Sequence, residues 1–188
     1  MIDLIRTRRS IRRFADQPLE PQAVELLVET LLRAPSSRNH NPWQFVLVDD
    51  RALLEQLASA KQHGSEFLKG AALAVVICAD EGRSDVWVED CSIAAILLQM
   101  TAQSLALGSC WAQIRKRQHD QQTSAEQFVQ RLLGLPEQLR VAAIIGIGHP
   151  AERRQPLAAD KLEYGKVSRN RFGAVWESLQ GTQSSDGC

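Results

Sequence analysis

A single domain of mixed helices and strands is what the 188-residue sequence predicts. Three observations carry that reading. Two continuous apolar runs, Ala71–Ala79 and Val141–Ile147, have the length of buried strands. Helix-period patterns stand before and between them, the clearest at Val24, Leu27, Val28, Leu31 and Leu32. The length allows one sizeable core, and neither an internal repeat nor a second domain is visible.

In chain order, Asp3–Arg8 forms a short helix leading into Thr7-Arg8-Arg9-Ser10-Ile11-Arg12-Arg13-Phe14. Pro18 and Pro21 mark a turn and a helix start. That helix ends before Pro35, which cannot continue it. Residues 34–43 are a polar loop, Phe45–Val48 a strand and Arg51–Ala60 a helix broken by His63-Gly64. After the Ala71–Ala79 strand comes the longest helix, Asp85–Leu107. It is apolar nearly all round and is expected to be buried, with Gly108 at its left-handed C′ position. Ser109–Ile114 is a strand running into Arg115-Lys116-Arg117. Ser124 and Gln127 form a capping box for a helix ending at Leu133, and Val141–Ile147 is the last strand. From His149 onward the chain is a polar, cation-rich arm with no core pattern until Phe172–Leu179. One domain over 1–180 is expected, with 181–188 a disordered tail.

Composition excludes several classes. Lys plus Arg number 22 and Asp plus Glu number 22, so the net charge is zero and a dedicated nucleic-acid binder is disfavoured. The start, Met1-Ile-Asp-Leu-Ile-Arg, has no signal-peptide h-region. The apolar-rich stretch Trp87–Leu107 is interrupted by Glu89, Asp90, Gln99 and Gln103, against a membrane span. A cytoplasmic protein without membrane contact is expected. Cys78, Cys91, Cys110 and Cys188 form no CxxC pair and have no His at ligand spacing, so neither a disulfide framework nor a metal site is expected. Gly146-Ile147-Gly148 lacks the third glycine of a dinucleotide fingerprint, and neither a phosphate loop nor a GxSxG elbow occurs. No side chain is assigned as an acid–base catalyst.

Two stretches carry candidate binding chemistry. Residues 8–13 hold four arginines and a serine, planar permanent cations beside a hydroxyl, which suit a phosphate; the alternative is a solvated basic turn. Residues 34–43 hold two serines, two asparagines and a tryptophan, either a plain connection or a binding loop. Arg115-Lys116-Arg117 is either a solvated strand end or a contact for the phosphates of a nicotinamide donor.

Taken together these segments resemble the FMN-dependent nitroreductase family. Arg8-Arg9-Ser10-Ile11-Arg12-Arg13-Phe14 is similar to the family's RRSxRxF. Ala34-Pro35-Ser36-Ser37-Arg38-Asn39 with Pro42-Trp43 is similar to APSxxNxQPW, although Asn41 stands where Gln is common. Leu107-Gly108-Ser109-Cys110-Trp111, Leu133-Gly134-Leu135-Pro136-Glu137 and Ile147-Gly148-His149-Pro150-Ala151-Glu152 follow in the family's order. The resemblance covers residues 4–155. It implies an α+β sandwich: a mainly antiparallel central sheet flanked by helices, with the C-terminal arm exchanged between subunits of a homodimer. It implies FMN as cofactor, NADH or NADPH as reductant, and ping-pong reduction of a nitroaromatic, quinone or similar small acceptor. A flavin-carrying binding protein without fast turnover, or a family member with another flavin chemistry, is the alternative. The resemblance puts Arg8, Arg9, Ser10 and Arg12 on FMN from one subunit and Pro35, Ser36, Ser37 and Asn39 on it from the other. It puts Trp111, Ala112 and Gln113 near the ring, and Arg153 or Arg154 near the phosphate.

Overall fold

A computed structural model describes residues 1–176 of the chain. The expected tail at 181–188, and the end of the Phe172–Leu179 pattern, lie outside the described residues. Helices α1 (Ile2–Thr7), α2 (Pro21–Leu32), α3 (Arg51–Ala58), α4 (Trp87–Ser104) and α5 (Ala125–Leu133) accompany strands β1 (Trp43–Val48), β2 (Leu73–Asp80), β3 (Gly108–Gln113) and β4 (Leu139–Gly148). The strands form one sheet in the order β1-β2-β4-β3, every neighbouring pair antiparallel. This is the α+β sandwich that the resemblance implies.

Burial explains the strand order. β2 and β4 are apolar and buried along nearly their whole length, so they take the centre; β1, less buried, is an edge. The two-residue period of a strand sends alternate side chains to opposite faces. Ala74, Val76 and Cys78 enter one core with Leu54 and Leu57 of α3 and Val129 of α5. Leu73, Val75, Ile77 and Ala79 enter the other with Leu27 and Leu31 of α2 and Ala94 and Leu98 of α4. Between Ile77 and Cys78 the register shifts, leaving Ala142 as the extra residue of a bulge in β4. Local caps follow the sequence: Pro21 opens α2, and Ser124 with Gln127 forms the capping box of α5.

Three local expectations are corrected. Leu32 is 62% exposed, because it sits about 80° round α2 from Val24 and misses the core stripe. α4 is not buried on all sides, since Ile93 and Ile96 face outward. Gly108 does not cap α4. Ala106, with φ 58°, takes the left-handed position, and Gly108 already belongs to β3. Its requirement is steric: a Cβ there would lie 2.8 Å from the Ile11 side chain. Gly148 is similar, with Phe14 at 3.0 Å, which accounts for a glycine in the Gly-Ile-Gly run without any nucleotide.

Residues Met1–Gln155 form one compact unit and a second begins at Pro156, so His149–Glu152, expected to open the arm, instead pair with residues 12–15 of the first unit. Within the second, Tyr164 stacks on Trp176 with ring centroids 5.7 Å apart, Ser168 pairs with Val175, and Phe172 and Val175 are exposed. Among the described residues no helix is long and apolar enough to cross a membrane.

Candidate functional site

After α1 the chain runs extended past the start of β3 and the end of β4. Ser10 bridges to Ser109, and the Ile11 N–H donates to the Ser109 carbonyl at 3.0 Å. Phe14 pairs with Pro150, and the Ala15 N–H donates to the His149 carbonyl at 2.8 Å. Glycine at 108 and 148 permits this close approach. Glu152 then fastens the two segments. Its Oε1 accepts the Arg12 N–H at 2.6 Å and the Arg13 N–H at 3.2 Å, and its Oε2 accepts Arg154 Nε at 3.0 Å. The Ala151 N–H donates to the Arg13 carbonyl, and Arg9 donates to the Gln155 carbonyl. The Arg12 N–H above all, then the Arg13 N–H and the Arg154 cation, hold the Glu152 carboxyl below the usual carboxylate range.

The fold thus gathers cations from both ends of the first unit. Arg9, Arg153 and Arg154 line one cavity of about 440 Å³ with Thr7, Ile11 and Glu152. In an extended segment neighbours point to opposite sides, so Ser10 and Arg12 part from Arg9 and Ile11. The Ser10 hydroxyl and Arg12 guanidinium lie by Cys110, opposing the burial that pushes its thiol up. Lys61 joins them; burial, helped by Arg117, holds its ammonium below the ordinary lysine value. The guanidinium groups of Arg8, Arg12, Arg13 and Arg153 make no hydrogen bond or ion pair among the described residues, whereas Arg154 pairs with Glu152. A chain of zero net charge therefore concentrates unneutralised cations here, and such a set of donors fits a phosphate-bearing anion.

The loop before β1 is built locally. Arg38, Asn39 and Asn41 have φ of 49°, 57° and 47°, the left-handed region that asparagine tolerates best among ordinary residues. Ser36 Oγ donates to Asn41 Oδ1 at 2.7 Å and accepts the Asn41 N–H at 2.9 Å, and Asn41 Nδ2 donates to Asn39 Oδ1 at 3.2 Å. Asn41 is thus the staple of its own turn. Ser36 is committed inside the loop. The Ser37 N–H donates to Asp90 Oδ1 at 2.8 Å, while the Ser37 hydroxyl has no partner among the described residues. Pro35 and Asn39 are exposed.

On β3, Trp111 packs on the α4 side, and its Nε1 donates to Gln113 Oε1 at 3.0 Å. Gln113 Nε2 donates to the Arg115 carbonyl at 3.1 Å and to the bulged Ala142 carbonyl at 3.4 Å. Ala112 points the other way and is fully buried. Arg115 lies over the Trp87 ring, 5.5 Å from its centroid. The buried Cys78 and Cys91 thiols are pushed up to about 12 by burial, as inert core groups are.

Helix α4 measures how far apart the two candidate stretches lie. Ser37 meets Asp90, Ser109 meets Gln99 and Thr7 meets Gln103. At about 1.5 Å per residue, the loop anchor is roughly 14–20 Å along the helix from the anchors of the basic segment. Within one protomer the Pro35–Asn39 loop and the Arg8–Arg12 segment are not brought together.

Sequence reading missed Glu152, Asp90 and Lys61 as site residues. Glu152 stood inside a recognised motif without a role. Asp90 was legible only as an acid in the first turn of an apolar helix. Lys61 left no local signal, since Arg117 and Cys110, the charged and thiol groups that link it to the site, are distant in sequence.

The family model described as the Nitroreductase family matches residues 5–64 and 56–149. A protein of Archaeoglobus fulgidus, provisionally named NADH dehydrogenase/NAD(P)H nitroreductase, is 33% identical over 176 residues, covering 91% of this chain and 98% of that protein. The solved structure of an FMN-dependent nitroreductase from Clostridium difficile is 39% identical with a TM-score of 0.90, covering 92% of this chain and 100% of that one. A Bacteroides thetaiotaomicron structure with the same provisional name as the Archaeoglobus protein is 30% identical with a TM-score of 0.83, covering 91% and 97%. The matched residues run from the basic segment through the left-handed loop and the four-stranded sheet to the end of β4, and on that ground the chain belongs to the nitroreductase family.

Proposed function

We propose that the protein is an FMN-dependent oxidoreductase, a homodimer that uses NAD(P)H to reduce small acceptors such as nitroaromatics and quinones. The observation that carries the reading is the Glu152 clamp, which holds the backbone of residues 12 and 13 and the Arg154 side chain on one carboxylate, while the guanidinium groups of Arg8, Arg12, Arg13 and Arg153 make no hydrogen bond or ion pair among the described residues. When bound, FMN supplies hydride chemistry between nicotinamide and acceptor, with negative charge gathering on the ring's N1–C2 carbonyl edge. Arg8, Arg9, Arg153 and Arg154 are donors for its dianionic phosphate, and Ser10 for its polar chain. Arg12 and Lys61 offer cations to the ring edge. Trp111, Ala112 and Gln113 act as scaffold beside the ring, their polar atoms being committed within the strand end.

The distance between the two stretches along α4 supports a shared site. Pro35, Ser37 and Asn39 would serve the flavin of the second protomer, with Ser36 holding the turn that presents them. The arm from Pro156 crosses to that protomer, and its exposed Phe172 and Val175 suit such a contact. Reductant and acceptor use the same space in turn, which gives ping-pong kinetics.

The tests are direct. Heat release and mass analysis should yield one FMN per protomer, light scattering a dimer, and anaerobic NADH or NADPH should bleach the flavin. A monomer holding stoichiometric FMN would reject the shared site. Double-reciprocal plots with a quinone acceptor should be parallel, and intersecting lines would contradict alternating occupancy. Failure of both nicotinamides to bleach the flavin would favour a flavin carrier.

A further inference from the structure

The loop before β1 depends on a carboxylate that has no assigned role. Asp90 lies in the first turn of α4 and is 2% exposed, yet it forms no cap to its own helix. Its Oδ1 accepts the Ser37 N–H at 2.8 Å, and its Oδ2 accepts the hydroxyl of buried Ser84 at 2.9 Å. Both donors are neutral, and no cation pairs with Asp90 among the described residues. A buried carboxylate in that setting is costly in desolvation, and an apolar residue would pack α4 better.

What the carboxylate holds gives it a purpose. Ser37 directly precedes the left-handed residues Arg38 and Asn39. Such backbone persists only where its surroundings over-determine it. The Ser36, Asn39 and Asn41 staples tie the loop only to itself. Asp90 ties the Ser37 end of it to the helix scaffold, while the exposed Arg83, donating to the His40 carbonyl at 3.0 Å, and the Asp80 N–H, donating to the Pro42 carbonyl at 3.0 Å, hold only its far end.

We propose that Asp90 is a positioning residue for flavin binding, setting the Ser37–Asn39 turn so that the Ser37 hydroxyl and Asn39 amide are presented, preorganised, to the second protomer's site. The inference rests on the FMN-dimer reading above. Ser84 orients the carboxylate. Asparagine at 90 can keep both contacts, accepting from Ser37 and donating to Ser84, so geometry rather than charge is what matters.

The experiment titrates FMN into apo-protein by fluorescence quenching, with apo-protein Tm and the absorption spectrum of the bound flavin recorded in parallel. Asp90→Ala should weaken binding by about tenfold or more and alter the flavin bands. Asp90→Asn should stay within about threefold of the wild type, and Ser84→Ala should fall between them. Leu54→Ala, a truncation in the opposite core, should lower Tm without moving FMN affinity. The role is overturned if Asp90→Ala binds FMN as the wild type does, if Asp90→Asn is as weak as Asp90→Ala, or if affinity tracks Tm across all variants including Leu54→Ala. Should Asp90→Ala fail to fold, Ser84→Ala decides: weakened binding at unchanged Tm supports the role, and unchanged binding overturns it. Wild-type protein that binds no FMN overturns the cofactor reading itself, an outcome distinct from all of these.

Discussion

The basic segment 8–14 and the loop 35–41 both hold backbone outside regular structure, but by different means. The basic segment has no internal hydrogen bonds of its own. It is held by residues about 100–140 positions away: the Ser109 carbonyl, Gly108 and Gly148 beneath it, and the Glu152 carboxylate. The loop is held by bonds between residues 36, 39 and 41, with Asp90 as its anchor to α4. The first arrangement commits backbone groups and, Arg9 apart, leaves its charged side chains without a hydrogen-bond partner among the described residues. The second commits side chains and leaves few donors over. A charged ligand should therefore draw most of its affinity from the first, while the second contributes shape.

The largest expected effect tests that division. The double variant Arg12→Ala/Arg153→Ala should weaken FMN binding by a hundredfold or more, since each charge-assisted contact is worth about 1.5–3 kcal/mol. Ser37→Ala/Asn39→Ala removes neutral contacts of about 0.5–1.5 kcal/mol each. Fluorescence titration compares the two, and equal losses would erase the distinction.

Next come the supports. Gly108→Ala places a Cβ against Ile11 and should destabilise the fold by about 1–3 kcal/mol, the range of overpacking, while also displacing the arginines. Urea unfolding and FMN titration would both register it, and a neutral result would show that Ile11 can move aside. In the loop, Asn41→Ala should be worse than Asn41→Gly by about 1 kcal/mol, because both lose the staple but only glycine accepts φ 47° without strain. If the alanine variant equals the glycine variant, the side-chain bonds rather than the backbone dominate that turn.

The smallest effect is a pH dependence of the clamp. The folded Glu152 carboxyl titrates below its ordinary value, so its contribution to stability is fully present above about pH 4.3 and is lost as pH falls through the folded value. Glu152→Gln cannot ionise. Its Tm deficit against the wild type should be widest near neutral pH and close in acid. A deficit that stays constant from pH 7 to acid would show that the clamp does not depend on the carboxylate's charge.

Much of this was legible because it is local. Pro21 opens α2, Ser124 and Gln127 cap α5, and the apolar runs became β2 and β4, since caps and periodicity act over a few residues. The arginines of 8–13 and the polar loop were visible as composition alone. Trp111, Ala112 and Gln113 were read as one group, yet the pleat divides them between two cores, and the Ala142 bulge captures Gln113. Gly108 had the spacing of a helix cap and proved to be the floor under Ile11.

By itself the sequence determined the kinds and order of the elements, the absence of a nucleotide-loop signature, and the presence of two binding-type stretches. It could do so because propensity, capping and hydrophobic period depend on near neighbours. Only the tertiary structure decided which arginines share a cavity, that Glu152 draws residues 12 and 13 to residue 154, that Asp90 anchors the left-handed loop, and that this loop lies along α4 from the basic segment rather than against it. Those contacts join residues far apart in the chain. Their geometry follows from strand register, a bulge and the length of one helix, quantities that no local window of residues contains.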